Sequence, residues 1–99
     1  MRKIKHEPPE IFLEYLGGAI RTKRLSLLLS QEQLGPLSNL HRTYITDVEN
    51  GLRNVSIATL LRIAKALNSR PSFTISNAEE LIAKKHSSDF FEDPDEKLI

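Results

Sequence analysis

The chain has 99 residues, 39% of them hydrophobic, enough for one domain with a modest single core, and no apolar run reaches transmembrane length. It contains no cysteine, which excludes disulfides and thiolate metal sites, and His6, His41 and His86 are too scattered to suggest a metal site on imidazole. The net charge of +1 conceals an asymmetry: residues 86–99 carry five acids and one lysine, whereas residues 1–85 carry 13 basic and eight acidic groups, a balance consistent with a polyanionic partner.

Residues 1–9 form a basic arm with Arg2, Lys3 and Lys5, ending in Pro8-Pro9, which cannot continue a helix backward. The arm is expected to be flexible, and its start lacks the apolar segment of a signal peptide, so a cytoplasmic protein is expected. A first helix is predicted from Glu10 to Leu28, with Phe12, Leu16, Ala19 or Ile20, and Leu27 on one stripe. Within it Gly17-Gly18 costs about 1 kcal/mol per residue against alanine. Either another helix crosses closely there or the helix bends.

Ser30 and Gln33 form a capping box, so a second helix begins at Gln31, with Leu34 pointing inward. Pro36 removes a hydrogen bond from it and predicts a kink or an early end. Asn39 suits the turn that follows, because asparagine tolerates a left-handed backbone. A third helix is predicted from Arg42 to Asn50. Leu40, Ile45 and Val48 recur at helical spacing and face inward, which leaves His41, Arg42, Thr43, Thr46 and Asp47 on the other side. Gly51 supplies its left-handed end. A fourth helix runs from Ser56 or Ile57 to Leu67, with Leu60, Leu61, Ile63, Ala64 and Leu67 closing the core and Arg62 and Lys65 outside. Asn68 is its C-cap and Pro71 forbids immediate continuation.

At residues 72–76 the period changes. Phe73 and Ile75 alternate with polar neighbours, which predicts a short strand. One strand leaves its backbone groups open, and the simplest partner is the same segment of a second subunit. Phe73, Thr74 and Ile75 are therefore the expected dimerisation residues. Ser76 and Glu79 supply a second capping box for a short helix containing Leu81 and Ile82, and residues 87–99 are acidic and expected to be disordered. The fold class is all-α: a compact five-helix domain over residues 10–86 with a short intersubunit strand near 72–76.

Three segments in order carry a resemblance: SQEQL at 30–34, LHRTYITDVENG at 40–51 and TLLRIAKALN at 59–68. From Leu16 to Asn68 the chain resembles the phage-repressor-like (xenobiotic response element) helix-turn-helix family. NLHRTYI followed by LRN is most similar to controller proteins of restriction–modification systems, whereas the order helix, short strand, polar tail after Leu67 resembles HipB-like antitoxins. The resemblance implies a partner, double-stranded DNA, and several roles. Gln31 would bond backbone phosphate, Gly35 would let two helices approach, and Arg24 would pair with Glu49. Leu28 departs from the family pattern, which usually has glycine there. Tyr44 would lie along the sugar-phosphate or pack across the second helix, and Arg53 and Asn54 would return to DNA on a loop.

An Arg-Thr-His set at a helix start suits base edges and phosphates in a major groove. Arg42 can contact guanine with two hydrogen bonds. Thr43 and Thr46 can touch thymine methyl groups or phosphates, and Asp47 can accept from cytosine or pair with a basic neighbour. There is no phosphate-binding glycine loop and no clustered metal ligands, and no His–Cys or carboxylate constellation, so neither an enzyme nor a cofactor is expected. These features imply a homodimeric, sequence-specific DNA-binding regulator that represses or autoregulates a promoter through an inverted-repeat operator. The alternatives are an antitoxin that also holds a toxin partner, and a restriction–modification controller.

Overall fold

In the computed structural model, which describes residues 8–86, five helices follow one another: α1 (Pro9–Ser26), α2 (Gln31–Ser38), α3 (Arg42–Glu49), α4 (Ile57–Ala66) and α5 (Pro71–His86). Most of the expected basic arm, and the whole acidic tail, lie outside the described residues.

The first four helices all stop in the same way. Leu28, Asn39, Gly51 and Asn68 each take a positive φ, between 52° and 75°. The N–H after each bonds back across the helix end: Leu29 to the Arg24 carbonyl at 3.2 Å, Leu40 to Gly35 at 2.8 Å, Leu52 to Asp47 at 2.9 Å, and Ser69 to Ala64 at 2.8 Å. These are Schellman closures, which satisfy carbonyls the helix leaves open. Asparagine and glycine suit that backbone; Leu28 does not, and it is 90% exposed.

The starts are encoded as locally as the ends. Ser30 accepts from the Gln33 N–H at 3.0 Å while the Gln33 side chain accepts from the Ser30 N–H at 2.8 Å, and Ser56 accepts from the Thr59 N–H at 3.1 Å. α2 runs through Pro36 to Ser38 instead of kinking or ending early. Pro36 and Glu32, whose carbonyl loses its helical donor, are both exposed, so water can serve that carbonyl.

The core gathers Leu16 and Ile20 of α1, Leu34 of α2, Ile45 and Val48 of α3, Leu60 and Ile63 of α4, Leu67 just beyond it, and Ala78 of α5. Close approach at two glycines brings α3 in. A Cβ on Gly17 would lie 2.3 Å from the Val48 carbonyl oxygen, and one on Gly35 would lie 2.9 Å from the Leu40 carbonyl oxygen. Of the two alternatives for Gly17-Gly18, a close crossing is the one realised, at Gly17 alone. Leu27 and Leu61, expected inside, are exposed: α1 ends before Leu27, and Leu61 lies on the outer side of α4.

The strand expected at 72–76 is helix. Pro71 is the first residue of α5, a position where its missing N–H costs nothing. The Thr74 N–H bonds to the Arg70 carbonyl at 3.2 Å, so it is not open for pairing between subunits. Thr74, Ala78 and Ile82 recur every four residues and are all buried, while Ile75 packs against the core and Phe73 is exposed. The helix does not begin at Ser76, which is an interior residue of α5. Phe73, Thr74 and Ile75 therefore do not form a paired strand, and the feature that suggested a HipB-like antitoxin is absent.

Candidate nucleic-acid interface

Arg24, near the end of α1, is buried and reaches the last residue of α3. Its Nε donates to Glu49 Oε2 at 2.6 Å, its Nη2 to Glu49 Oε1 at 2.9 Å, and its Nη1 to the Leu29 carbonyl at 2.8 Å. The side chains are 8% and 2% exposed. A two-point guanidinium–carboxylate pair with further hydrogen bonds is the geometry that offsets desolvation. The hydrogen bond to Glu49 raises the Arg24 pKa above its usual value, burial lowers it, and the Glu49 charge raises it again.

Glu49 also ties in α2. Gln31, the first residue of α2, donates from Nε2 to Glu49 Oε1 at 3.0 Å. Its Oε1 accepts from the Thr46 hydroxyl at 2.7 Å, and the same hydroxyl lies 3.1 Å from the Arg42 carbonyl. One chain of bonds thus joins α1, α2 and α3 behind the exposed side of α3. One N–H of the Gln31 amide remains beyond these bonds for an outside acceptor.

A second cluster joins α3 to the loop that follows it. Arg53, on the loop after α3, donates from Nε to Asp47 Oδ2 at 3.2 Å, and its guanidinium carbon sits 5.1 Å from the centre of the Tyr44 ring. Tyr44 and Asp47 are three apart on α3 and so share a face. Tyr44 is half-buried and packs against the core, presenting its other side to Arg53. Asp47 pairs with a basic neighbour, one of its two expected roles.

His41, Arg42, Thr43 and Asn54 are exposed. His41 is the N-cap of α3 without a side-chain cap bond. Among the described residues no hydrogen bond or ion pair holds the Arg42 guanidinium. Sequence spacing did not disclose the Gln31–Thr46 link, which spans 15 residues, or the Arg53–Tyr44 stack, which depends on the turn at Gly51. Ser30 as a cap was the available clue to the first, because it fixes where Gln31 stands.

A helix-turn-helix family model matches residues 20–73. The chain belongs to the helix-turn-helix family. It is 44% identical over 70 residues to the control protein C.BamHI of Bacillus amyloliquefaciens, covering 65% of this chain and 86% of that one. It is 53% identical over 55 residues to the control protein C.SmaI of Serratia marcescens, covering 56% of this chain and 66% of the relative. Among solved structures, the restriction–modification controller C.AhdI of Aeromonas hydrophila superposes with a TM-score of 0.62 at 42% identity, over 63% of this chain and 94% of that one. This helix-turn-helix protein is a DNA-binding transcriptional regulator. Among the described residues, no helix is long and apolar enough to cross a membrane.

Proposed function

We propose that the protein is a cytoplasmic, homodimeric controller that binds an inverted-repeat operator and regulates restriction–modification genes, acting by binding and not by catalysis. The observation that carries this reading is the exposed Arg42-Thr43 start of α3 beside the cap of α2, on a chain similar to control proteins over most of their length. Arg42 is the base reader, its guanidinium unengaged among the described residues and matched to guanine O6 and N7. Thr43 meets a thymine methyl. Gln31, Tyr44 and Asn54 meet phosphates and set register, with Arg53 following the backbone from its place over Tyr44 and His41 beside it at the helix start. The subunits meet through α4 and α5, where Ile57 and Leu61 share one exposed face and Phe73 and Leu81 another.

Selection from random duplex DNA tests the reading. An inverted repeat with half-sites about one helical turn apart is expected, bound by one dimer. Arg42→Ala should weaken operator binding by about 1–3 kcal/mol and relax preference at one base pair per half-site. An equal loss on operator and random DNA would reassign Arg42 to phosphate. Failure to enrich any sequence would overturn the reading itself.

A further inference from the structure

Thr46 stands on the outward half of α3, partly exposed, four residues after Arg42. A hydroxyl has one hydrogen to donate and two lone pairs to offer. The structure leaves little freedom over which of these faces outward. Glu49 presents only lone pairs to α2, because Arg24 holds both of its carboxylate oxygens. The Gln31 amide must therefore turn its nitrogen to Glu49, at 3.0 Å, and its oxygen to Thr46, at 2.7 Å. That oxygen cannot donate. The other hydrogen-bond partner of the Thr46 hydroxyl among the described residues is the Arg42 carbonyl at 3.1 Å, which cannot donate either. Whichever of the two takes it, the single hydroxyl hydrogen is used inside the protein.

We propose that Thr46 is a specificity-determining residue that meets DNA only as a hydrogen-bond acceptor, its partner being the exocyclic amine of an adenine or a cytosine in the major groove. The inference rests on the DNA-binding reading above. It excludes partners that a free threonine would accept: phosphate oxygens, guanine O6 and N7, and thymine O4 are all acceptors, and two acceptors facing each other repel. Every base pair has one major-groove amine, adenine N6 or cytosine N4, and its position differs in each of the four pair orientations. A fixed acceptor on α3 therefore discriminates by where the amine lies. Arg42 works with the opposite polarity, as a pure donor one turn earlier, so the two residues read complementary features of neighbouring base pairs.

The test uses the full chain and the operator obtained by selection, with base analogues that delete one group at a time. Purine in place of adenine, or 2-pyrimidinone in place of cytosine, removes only the amine. A 7-deazapurine removes only the N7 acceptor, and a methylphosphonate removes a phosphate acceptor. Each analogue is measured with wild type, Thr46→Val and Thr46→Ser in double-mutant cycles, which cancel the analogue's own effect on the duplex. At one base pair per half-site, loss of the amine should weaken wild type about three- to tenfold and leave Thr46→Val unaffected, the range of one net hydrogen bond. Thr46→Ser, which keeps the hydroxyl and its internal partners, should retain the coupling. Circular dichroism establishes that the valine variant is folded. Coupling to a 7-deazapurine or a methylphosphonate, or no coupling at any amine, would overturn the proposal. If selection yields no operator, the DNA-binding reading fails first.

Discussion

Leu28 offers a direct measurement of what one left-handed residue costs this fold. Its φ is 59°, a conformation that places Cβ against the following carbonyl oxygen and costs an L-residue about 1–2 kcal/mol. The side chain is 90% exposed, so removing it forfeits only about a tenth of the roughly 1.5–3 kcal/mol that full burial of a leucine contributes. Glycine removes the clash but adds freedom to the unfolded chain, worth about 0.5–1 kcal/mol in the other direction. Leu28→Gly should therefore stabilise the protein by about 0.5 kcal/mol or slightly more, raising Tm by about 2–4 °C for a domain of this size. Leu28→Ala keeps the Cβ and should change little. Leu27 is the internal control: its φ is −94°, comfortable for leucine, so Leu27→Gly should lose about 1–2 kcal/mol through entropy and lost packing. Thermal unfolding at a fixed protein concentration is the assay, because a dimer's Tm depends on concentration. If Leu28→Gly is no more stable than Leu28→Ala, the left-handed turn is not strained by its side chain.

The adjacent glycines should respond with opposite signs: Gly17→Ala forces a Cβ against the Val48 carbonyl and should cost about 1–3 kcal/mol or more, whereas Gly18→Ala meets nothing within 4 Å and should gain up to about 1 kcal/mol in urea unfolding. Removing either Arg24 or Glu49 leaves a buried charge unpaired, so each alanine variant should lose about 3–5 kcal/mol. The double-mutant cycle should show coupling well above the roughly 0.2–1 kcal/mol of exposed pairs, and coupling near zero would mean that the pair contributes no more than two separate charges. Arg53→Ala removes the cation held over Tyr44, so the slope of log K against log salt should become shallower by about one unit on operator and random DNA, and an unchanged slope would mean that Arg53 stays off the backbone.

Features that depend on a few neighbouring residues were legible in the sequence. The Ser30–Gln33 box and the left-handed Asn39, Gly51 and Asn68 are settled within one turn, so α2, α3 and α4 fall close to where they were expected. The first turns of α5 look like a strand in the sequence because the buried stripe of the helix opens with a polar residue. Thr74 starts a four-residue register with Ala78 and Ile82, and five residues around it, taken alone, alternate like a strand. A proline before such a segment is compatible with either structure, since it can begin a strand or occupy the first turn of a helix. Leu61 lies outside because Leu60, Leu61, Ile63 and Ala64 cannot all reach one stripe, and the sequence alone does not say which of them is left out. The candidate DNA-facing residues were visible as types at helical spacing. Their internal partners were not, since Gln31 meets Thr46 only after three helices have packed.

The buried pair and the exposed side of α3 are consequently one system. α3 has eight residues, no acidic residue in its first turn and no basic residue in its last, so little in the helix itself keeps it folded. Its position comes from contact: Gly17 receives its last turn, Gly35 receives its entry, and Arg24 fixes Glu49 at its end. Glu49 then orients Gln31, and Gln31 directs the Thr46 hydroxyl. A substitution at Arg24, buried at the far end of the bond chain from Thr46, should reach DNA through that sequence of bonds. Glu49 without its cation, or Gln31 free to turn its amide, would let Thr46 present a hydrogen as readily as a lone pair. Arg42, whose guanidinium no other described residue holds, would keep the base preference proposed for it while Thr46 lost its own. Loss of the pair is thus expected to blur one base pair of each half-site selectively, beyond any general loss of folded protein.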